Sequence, residues 1–266
     1  MRLVNVSFRY TRRSPWILRR IDLDLPEGNV IEITGRNGAG KSTLLRLLAG
    51  VVPPTRGTIT GRPDGVGYAP EVFPAAQPFT AGAYLRHMAR VRGAAPAEIA
   101  GWAERLGMSH LLGVPLAELS KGSGQKVGIA QALLGAPGLL ILDEPFAGLD
   151  ARTRDDLVTI IDEVSARGGV VVVSDHQNAL RGLAGATRLR VADGGLHTVA
   201  AEERPAPRPR KIVEVIVDAD EAEAVRRRLQ AEGRRVRVRD LPEGREDGWK
   251  SDDEAEPAPS PLGDPA

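Results

Sequence analysis

The sequence predicts an α/β protein built around a parallel β-sheet. From residue 1 to about residue 200, strand-sized apolar runs alternate with segments of helical spacing. A glycine-rich segment, residues 35–43, lies between one apolar run and a helical pattern. A second apolar run, residues 139–142, ends in two carboxylates. Strands buried on both faces present polar residues at the carboxyl edge of a parallel sheet, and we expect the two segments to meet there.

The segment GRNGAGKST, residues 35–43, matches the G-x-x-x-x-G-K-[ST] pattern of a phosphate-binding loop. A strand is predicted at 29–34 and a helix at 42–49, so the helix N-terminus would face the anion. Lys41 would neutralise the β- and γ-phosphate oxygens, and Ser42 is placed to ligate Mg²⁺. A glycine turn without a ligand is the alternative, which the complete strand–loop–helix setting disfavours. The other nucleotide-binding candidates here are Gly35, Asn37, Gly38, Ala39, Gly40 and Thr43.

The second segment, LLILDE at residues 139–144, predicts a buried strand that ends in Asp143 and Glu144. Asp143 can hold a metal ion directly or through water. Glu144 points elsewhere and can take a proton from an attacking water. For this segment alone, the acids could simply end a strand. Combined with the phosphate loop, it predicts an ATP site with Mg²⁺.

The composition is that of a soluble globular protein, with 42% apolar residues among 266. No apolar run approaches 18 residues, and the amino terminus lacks the pattern of a signal peptide. We therefore expect a cytoplasmic protein, with any membrane partner on a separate chain. The absence of cysteine excludes disulfides, thiolate zinc sites and cysteine nucleophiles, and a net charge of +1 gives no reason to expect nucleic acid.

Four segments are expected along the chain. Residues 1–201 would form the ATPase domain, with a helical subdomain inserted at about residues 80–131. Residues 202–210 are rich in Pro and Arg and predict a linker. Residues 211–242 predict a small β-α-β extension, and the acidic, Pro-rich residues 243–266 predict disorder.

Individual elements are expected at several further places. The alternating residues 1–8 predict an edge strand, and apolar spacing predicts helices at 84–93 and 97–106. Within the extension, the predicted elements are strands at 211–217 and 235–239 and a helix at 220–232.

The segment LSKGSGQ, residues 119–125, follows the helical insert. With it, the chain resembles the ATP-binding cassette (ABC) family, whose signature is LSGGQ-like, although Lys121 occupies a position that is usually small. The resemblance implies that Ser120, Gly122 and Gln125 bind the γ-phosphate held by an opposite cassette in a head-to-tail dimer. That second cassette is either an identical chain or a paralogue. Taken alone, the segment is equally a Ser-capped start of a helix expected from Gln125.

Other family elements follow in the expected order. Residues 146–150, FAGLD, resemble the D-loop, which crosses the dimer interface in relatives. His176 follows a valine-rich strand predicted at 170–173 and resembles the switch histidine that contacts the γ-phosphate. Tyr10 resembles the aromatic residue that stacks on adenine. A packing role for Tyr10 is the alternative, and Phe8 is the competing candidate for stacking.

One position departs from the family pattern. After the segment VGYAP, residues 66–70, most relatives have a glutamine that contacts Mg²⁺ and the attacking water, but this chain has Glu71. Gln77 is a weaker candidate for that role because it lies beyond the strand end. Since a glutamate can still ligate Mg²⁺, Glu71 is a metal candidate. This region resembles cassettes of ABC-2-type exporters, so export is the expected direction.

The resemblance implies a P-loop NTPase fold with a RecA-like core, an N-terminal antiparallel β subdomain and an inserted helical subdomain. It also implies an ATP-hydrolysing transporter subunit, peripheral on the cytoplasmic face of the membrane and docked on separate permease subunits. Two alternatives are a soluble cassette ATPase acting on ribosomes or DNA, and a regulatory module that binds ATP without turnover. The extension at 211–242 could have a regulatory role, contact a dimer partner or only stabilise the protein.

Overall fold

A computed structural model of the protein describes residues 1–175, 179–183, 185–199, 218, 221–222 and 224–226. The chain divides into two compact units, Met1–Pro205 and Ala206–Ala266. The strands of the first unit are β1 (Arg2–Phe8), β2 (Leu18–Asp24), β3 (Val30–Thr34), β4 (Arg56–Thr60), β5 (Val66–Ala69), β6 (Leu139–Asp143), β7 (Val170–Ser174), β8 (Thr187–Ala192) and β9 (Gly195–Thr198). Its α-helices are α1 (Lys41–Ala49), α2 (Ala81–Arg92), α3 (Pro96–Arg105), α4 (Lys121–Leu133) and α5 (Ala151–Ala166).

The larger sheet has six strands in the order β5-β6-β7-β3-β8-β9. All neighbouring pairs are parallel except β8 and β9, which are antiparallel. Ile33 of β3 pairs with Ser174 of β7, and Ser174 pairs in turn with Asp143 of β6. The phosphate loop and the two acids therefore leave the sheet at the same edge, which confirms the α/β prediction.

The smaller sheet is antiparallel, with the strand order β2-β1-β4. The prediction that residues 1–8 form an edge strand was wrong, because β1 lies in the middle of this sheet. Its buried apolar side chains are Leu3, Val6 and Phe8, whereas Val4, between the first two, is exposed. Such a pattern indicates that one face of the strand is buried. An edge strand and a middle strand show the same pattern when only one face of their sheet packs on the core.

The six-stranded sheet separates two hydrophobic cores. Leu139 and Ile141 of β6 belong to one core, which also contains the leucines of α1 and the buried residues of β1 and β2. Leu140 and Leu142 belong to the other, which is formed with the helical insert and α5. Because successive side chains of a strand point to opposite faces, one strand serves both cores. Helix α1, which follows the phosphate loop, is thereby packed in the core shared by the two sheets.

The helical insert contains α2, α3 and α4, and the first two lie within a few residues of their predicted positions. Helix α4 begins at Lys121, so the expectation of a helix starting at Gln125 was wrong. Its N-cap, Ser120, accepts a hydrogen bond from the Ser123 N–H at 3.2 Å. The glycines of its first turns pack against other segments: a Cβ at Gly122 would clash with the Gly148 carbonyl oxygen, and a Cβ at Gly128 would lie 3.3 Å from the ring of Phe73. Packing thus overrides low helix propensity.

Two further findings concern the sequence predictions. Among the residues that the structure describes, none belongs to a helix both long and apolar enough to cross a membrane. In the second unit, residues 222 and 224–226 are helical, inside the helix predicted at 220–232. The predicted linker at 202–210, the strands at 211–217 and 235–239 and the tail lie outside the described residues.

Candidate nucleotide-binding site

The phosphate loop joins the end of β3 to the start of α1. Gly40 is the N-cap of α1 and adopts a left-handed conformation with φ of 109°, which favours glycine. Its carbonyl accepts the Leu44 N–H at 2.9 Å, so helical hydrogen bonding begins directly after the loop. The Lys41 ammonium folds back and donates to the Gly35 carbonyl at 3.1 Å. The first N–H groups of a helix lack intrahelical partners and, with this lysine, form an anion-binding end.

The two acids at the end of β6 are both buried, and a single serine holds them. The Ser174 hydroxyl donates to Asp143 Oδ1 at 2.7 Å and accepts the Glu144 N–H at 2.8 Å. Glu144 has a φ of 50°, which is rare for a residue with a side chain and accompanies functional sites. The backbone thus turns directly after Asp143, where β6 ends.

The phosphate loop and the acid strand meet at Lys41. Lys41 Nζ lies 3.6 Å from Glu144 Oε1, and the two side chains are 8% and 10% exposed. A buried ammonium between a loop carbonyl and a carboxylate is a strong local concentration of charge. The structure thus brings together the residue predicted to hold phosphate and the residue predicted to act as a base.

The donor set suits Mg²⁺ bound together with a nucleotide. Mg²⁺ uses one or two carboxylates plus substrate phosphates, not a dedicated cage of protein ligands. In the described part of the chain, no group of three or more His, Cys, Asp or Glu side chains is arranged to hold a metal ion. Asp143 lies at the sheet edge and Ser42 lies in the first turn of α1. Glu71 is exposed just beyond β5, at the same edge, since Ala69 pairs with Leu142.

Tyr10 lies against the phosphate-loop helix. Its hydroxyl is 3.4 Å from Thr43 Oγ1 and accepts a hydrogen bond from Arg46 Nη1 at 3.1 Å. Tyr10 is 54% exposed, whereas Phe8, whose ring it contacts edge-on, is buried. A buried ring cannot receive an adenine, so the geometry favours Tyr10 over Phe8 as the stacking residue.

Three residues near the site had no role in the sequence predictions. Ser174 could have been found, because it is the polar residue that ends an all-valine run beside the acid strand. Tyr68 and Arg46 gave no such signal. Burial raises the pKa of the Tyr68 hydroxyl, the charge of Asp143 raises it further, and Arg46 opposes both. Tyr68 therefore stays protonated at neutral pH, near Asp143, the candidate metal ligand.

The signature segment packs closely against the D-loop candidate. A Cβ added at Gly122 would lie 2.3 Å from the Gly148 carbonyl oxygen, so only glycine fits there. Lys126 of α4 also contacts Asp150, the N-cap of α5, with Nζ at 2.8 Å from Oδ2. This hydrogen bond, with others from Thr153, holds the pKa of Asp150 well below its usual range.

Not every predicted site residue joins this cluster. In the described part of the chain, Ser120 and Gly122 contact Ser123 and Gly148, not the phosphate loop. Gln125 is 3% exposed on α4, and its buried Nε2 has no hydrogen-bond partner among the described residues. The proposed contacts of these residues with a nucleotide on another cassette stay predictions. His176 lies outside the described residues.

Comparison with known proteins supports the same interpretation. The ABC transporter family model matches residues 18–147. A "Zinc import ATP-binding protein ZnuC" of Cereibacter sphaeroides is 38% identical over 164 residues, covering 60% of this chain and 66% of the relative, just under two thirds. A "Probable metal transport system ATP-binding protein" of Treponema pallidum is 33% identical over 193 residues, covering 70% of this chain and 80% of the relative.

Solved structures show the same fold. The structure of an ATP-binding subunit of an ABC transporter has a TM-score of 0.67 and 27% identity, covering 74% of this chain and 89% of that one. A dimeric bacterial ABC transporter cassette also has a TM-score of 0.67, with 24% identity over 73% of this chain and 95% of that one. From the phosphate loop, the acid strand, the P-loop NTPase fold and these matches, we conclude that the chain belongs to the ABC transporter family of ATP-binding cassette ATPases.

Proposed function

We propose that the protein binds ATP and hydrolyses it to drive transport through separate membrane subunits. The observation that carries this proposal is the position of Lys41, whose ammonium lies near both the Gly35 carbonyl, at 3.1 Å, and Glu144 Oε1, at 3.6 Å. A phosphate-binding lysine and a candidate base thus share one buried site. Hydrolysis needs both at the γ-phosphate.

Each residue has a defined task in the proposed reaction. Lys41 and the N–H groups of the phosphate loop stabilise the charge on the transferring phosphoryl group. Glu144 accepts the proton of the attacking water. Tyr10 orients the adenine by stacking, and His176 contacts the γ-phosphate.

Ser42 and Asp143 are the residues that would hold Mg²⁺, with Glu71 nearby. A bound Mg²⁺ ion would neutralise negative charge on the phosphate oxygens. The protein positions these donors through Ser174, which fixes Asp143 at 2.7 Å, and through α1, which carries Ser42.

A dimer of cassettes would complete the site, with Ser120 and Gly122 of one subunit facing the ATP of the other. A solved cassette of the same fold is dimeric, which supports the proposal of a dimer. A groove of about 390 Å³ offers a place for a membrane subunit. Its walls are mostly apolar, with Val51, Val66 and Met88 near Arg92. Docking there would make the protein peripheral on the cytoplasmic face of the membrane.

The proposed cargo is a metal ion, and the proposed direction is import. The expectation of export, taken from the region around Glu71, is not supported, since the relatives reported above include proteins named for zinc import and metal transport. These names also favour transport over action on ribosomes or DNA. The direction can be tested by measuring the zinc content of cells that lack the protein. If the protein imports zinc, these cells should contain less zinc than unmodified cells, and re-expression should restore the zinc content. Raised zinc would contradict the proposed direction.

The test of the enzymatic proposal is Glu144→Gln, which keeps size and hydrogen bonding but cannot accept a proton. Turnover should fall by about 10²–10⁴-fold, equivalent to roughly 3–5 kcal/mol of barrier. ATP binding should persist. Because ligands stabilise the state that they bind, unhydrolysed ATP should hold two cassettes together, and light scattering should detect a dimer with ATP but not with ADP.

The matched control is Glu118→Gln, which removes an exposed carboxylate just before the signature segment. Its turnover should equal that of the unmodified protein. Wild-type turnover in Glu144→Gln would show that another group is the base. Loss of turnover without dimerisation would indicate that the partner is a different cassette.

A further inference from the structure

A second cavity lies on the small sheet. It has a volume of about 410 Å³ and is lined by Asn5, Ser7, Trp16, Arg19, Arg20 and Arg56. The core-facing residues of β1 are Leu3, Val6 and Phe8, which pack with α1. Asn5 and Ser7 alternate with them, so the cavity lies on the sheet face that is turned away from the phosphate-loop helix.

The cavity is strongly positive. Residues 9–20 contain five arginines and no acidic residue, and Arg56 joins them from β4. Within the described part of the chain, none of the three arginines that line the cavity forms an ion pair. The nearby Asp22 accepts the Asn5 N–H at 2.8 Å. This excess of positive charge calls for an anionic ligand.

The cavity is also organised, with donors held in position. The guanidinium groups of Arg9 and Arg56 lie 4.5 Å and 5.1 Å from the Trp16 ring centroid, so cation–π contacts hold Arg56 in place. With Trp16 already covered by arginines, the site suits a phosphate group better than an aromatic base. The buried Ser7 hydroxyl accepts the Arg20 N–H at 2.9 Å. A hydroxyl that accepts one hydrogen bond can still donate another.

The backbone around the cavity is irregular. Asn5 and Arg20 have φ values of 50° and 48°, in a region that residues with side chains rarely adopt. The pairing of β1 shifts register between Leu3 and Val6 and again before Phe8, which matches a bulged strand. Strained residues and bulges cluster where proteins re-aim side chains at ligands.

We propose that this cavity binds a phosphate group, at a site separate from the phosphate loop. Arg19, Arg20 and Arg56 supply charge-assisted N–H donors in the fork geometry that suits phosphate oxygens. The phosphate belongs either to a free anion or to a phospholipid headgroup, and the recognition chemistry is the same for both. The proposal does not depend on the direction or the cargo of transport.

The test measures binding of two probes to the full chain, with the phosphate loop filled by a non-hydrolysable ATP analogue and Mg²⁺. One probe is pyrophosphate, followed by calorimetry. The other is vesicles of phosphatidylglycerol, compared with phosphatidylcholine vesicles at about 0.15 M salt, where long-range attraction is screened. Arg19→Gln/Arg56→Gln should weaken binding at least about tenfold, since it removes two charged donors.

The matched control is Arg12→Gln/Arg13→Gln, which removes the same charge from the same hairpin but not from the cavity lining. It should change affinity less than about twofold. Arg20→Asn provides a second cavity variant, because asparagine tolerates a positive φ. Unchanged affinity for the ATP analogue would show that each variant is folded.

Each outcome decides the proposal. Selective loss of pyrophosphate binding in the cavity variants supports a free anion as ligand, and selective loss of vesicle binding supports a phospholipid headgroup. Equal losses in cavity and control variants would overturn the proposal, as they would indicate general charge attraction. Unchanged binding in the cavity variants, or no binding of either probe to the unmodified protein, would also overturn it.

Discussion

At the scale of single residues, Ser174 links the two acids of the nucleotide site. Its hydroxyl donates to Asp143 Oδ1 and accepts the Glu144 N–H, and its side chain is fully buried. One hydroxyl therefore fixes both the candidate metal ligand and the backbone of the candidate base. Ser174 touches neither water nor nucleotide in the proposed reaction, so we assign it a positioning role.

Ser174→Ala should destabilise the fold by about 1–3 kcal/mol, since the buried Asp143 carboxylate loses the hydrogen bond from the hydroxyl, whereas the Glu144 N–H keeps its bond to the Ser174 carbonyl. Urea unfolding measures this change. The variant should also lower kcat more than it weakens ATP binding, because the acids lose their orientation.

The matched control is Ser165→Ala, which removes a hydroxyl that donates to the Gly28 carbonyl at 2.7 Å, away from the acids. Ser165→Ala should lower the free energy of unfolding but leave kcat at the value of the unmodified protein. If Ser174→Ala instead keeps full turnover, the positioning role is wrong.

At the scale of elements, α4 and α5 are joined at their N-terminal ends. Lys126 of α4 contacts Asp150, which caps α5 by accepting the Thr153 N–H at 2.9 Å. Gly122 lies against the backbone of Gly148, next to the same cap. The signature segment and the D-loop candidate should therefore move together.

The pH dependence of stability tests this connection. The hydrogen bond from Lys126, followed by those from Thr153, lowers the pKa of Asp150, so folding favours the ionised form. That stability is present above the ordinary Asp pKa of about 4 and is lost as the pH falls toward the lowered folded-state pKa. Asp150→Asn keeps a good N-cap but lacks the charge. Its deficit in Tm relative to the unmodified protein should shrink as the pH falls from 7 to 3.

Asp162→Asn, which removes an exposed carboxylate from the same helix, is the matched control. Lys126→Gln should reproduce much of the effect of Asp150→Asn, and the double variant should lose less than the sum. A Tm deficit that stays constant with pH would contradict the ionic contribution of Asp150.

Elements with a local signal could be predicted from the sequence, and others could not. The strand β6 and the phosphate loop were predicted correctly because short motifs and fully apolar runs define them. Helix α4 begins earlier than predicted because Ser120 caps it and its early glycines pack against Gly148 and Phe73, residues that lie far from them in the chain. The electrostatic effects of Arg46 and Asp143 on Tyr68 also join segments that are distant in the chain, and no periodicity of the sequence predicts them.

At the scale of the whole molecule, the nucleotide site belongs to the first compact unit, Met1–Pro205. Its last strand, β9, ends at Thr198. Every phosphate-contacting candidate precedes that strand. The second unit therefore contributes no candidate residue to ATP binding.

A chain truncated after Glu203 should still fold and bind ATP. A fluorescent ATP analogue measures the affinity, which should change less than about threefold, and circular dichroism reports folding. The full chain with Lys41→Ala serves as the control for lost binding. A truncated protein that is soluble and folded but does not bind ATP would show that the domain boundary is wrong.

The alternation along β6 has a practical consequence. Leu139 and Leu140 are sequence neighbours, yet their side chains belong to the cores on opposite sides of the sheet. Replacing one or the other with alanine creates two probes separated by a single peptide bond. Amide exchange in α1 should respond to the first and exchange in α5 to the second. Variants of this strand can therefore destabilise either core alone, while Asp143 and Glu144 at its end remain unchanged.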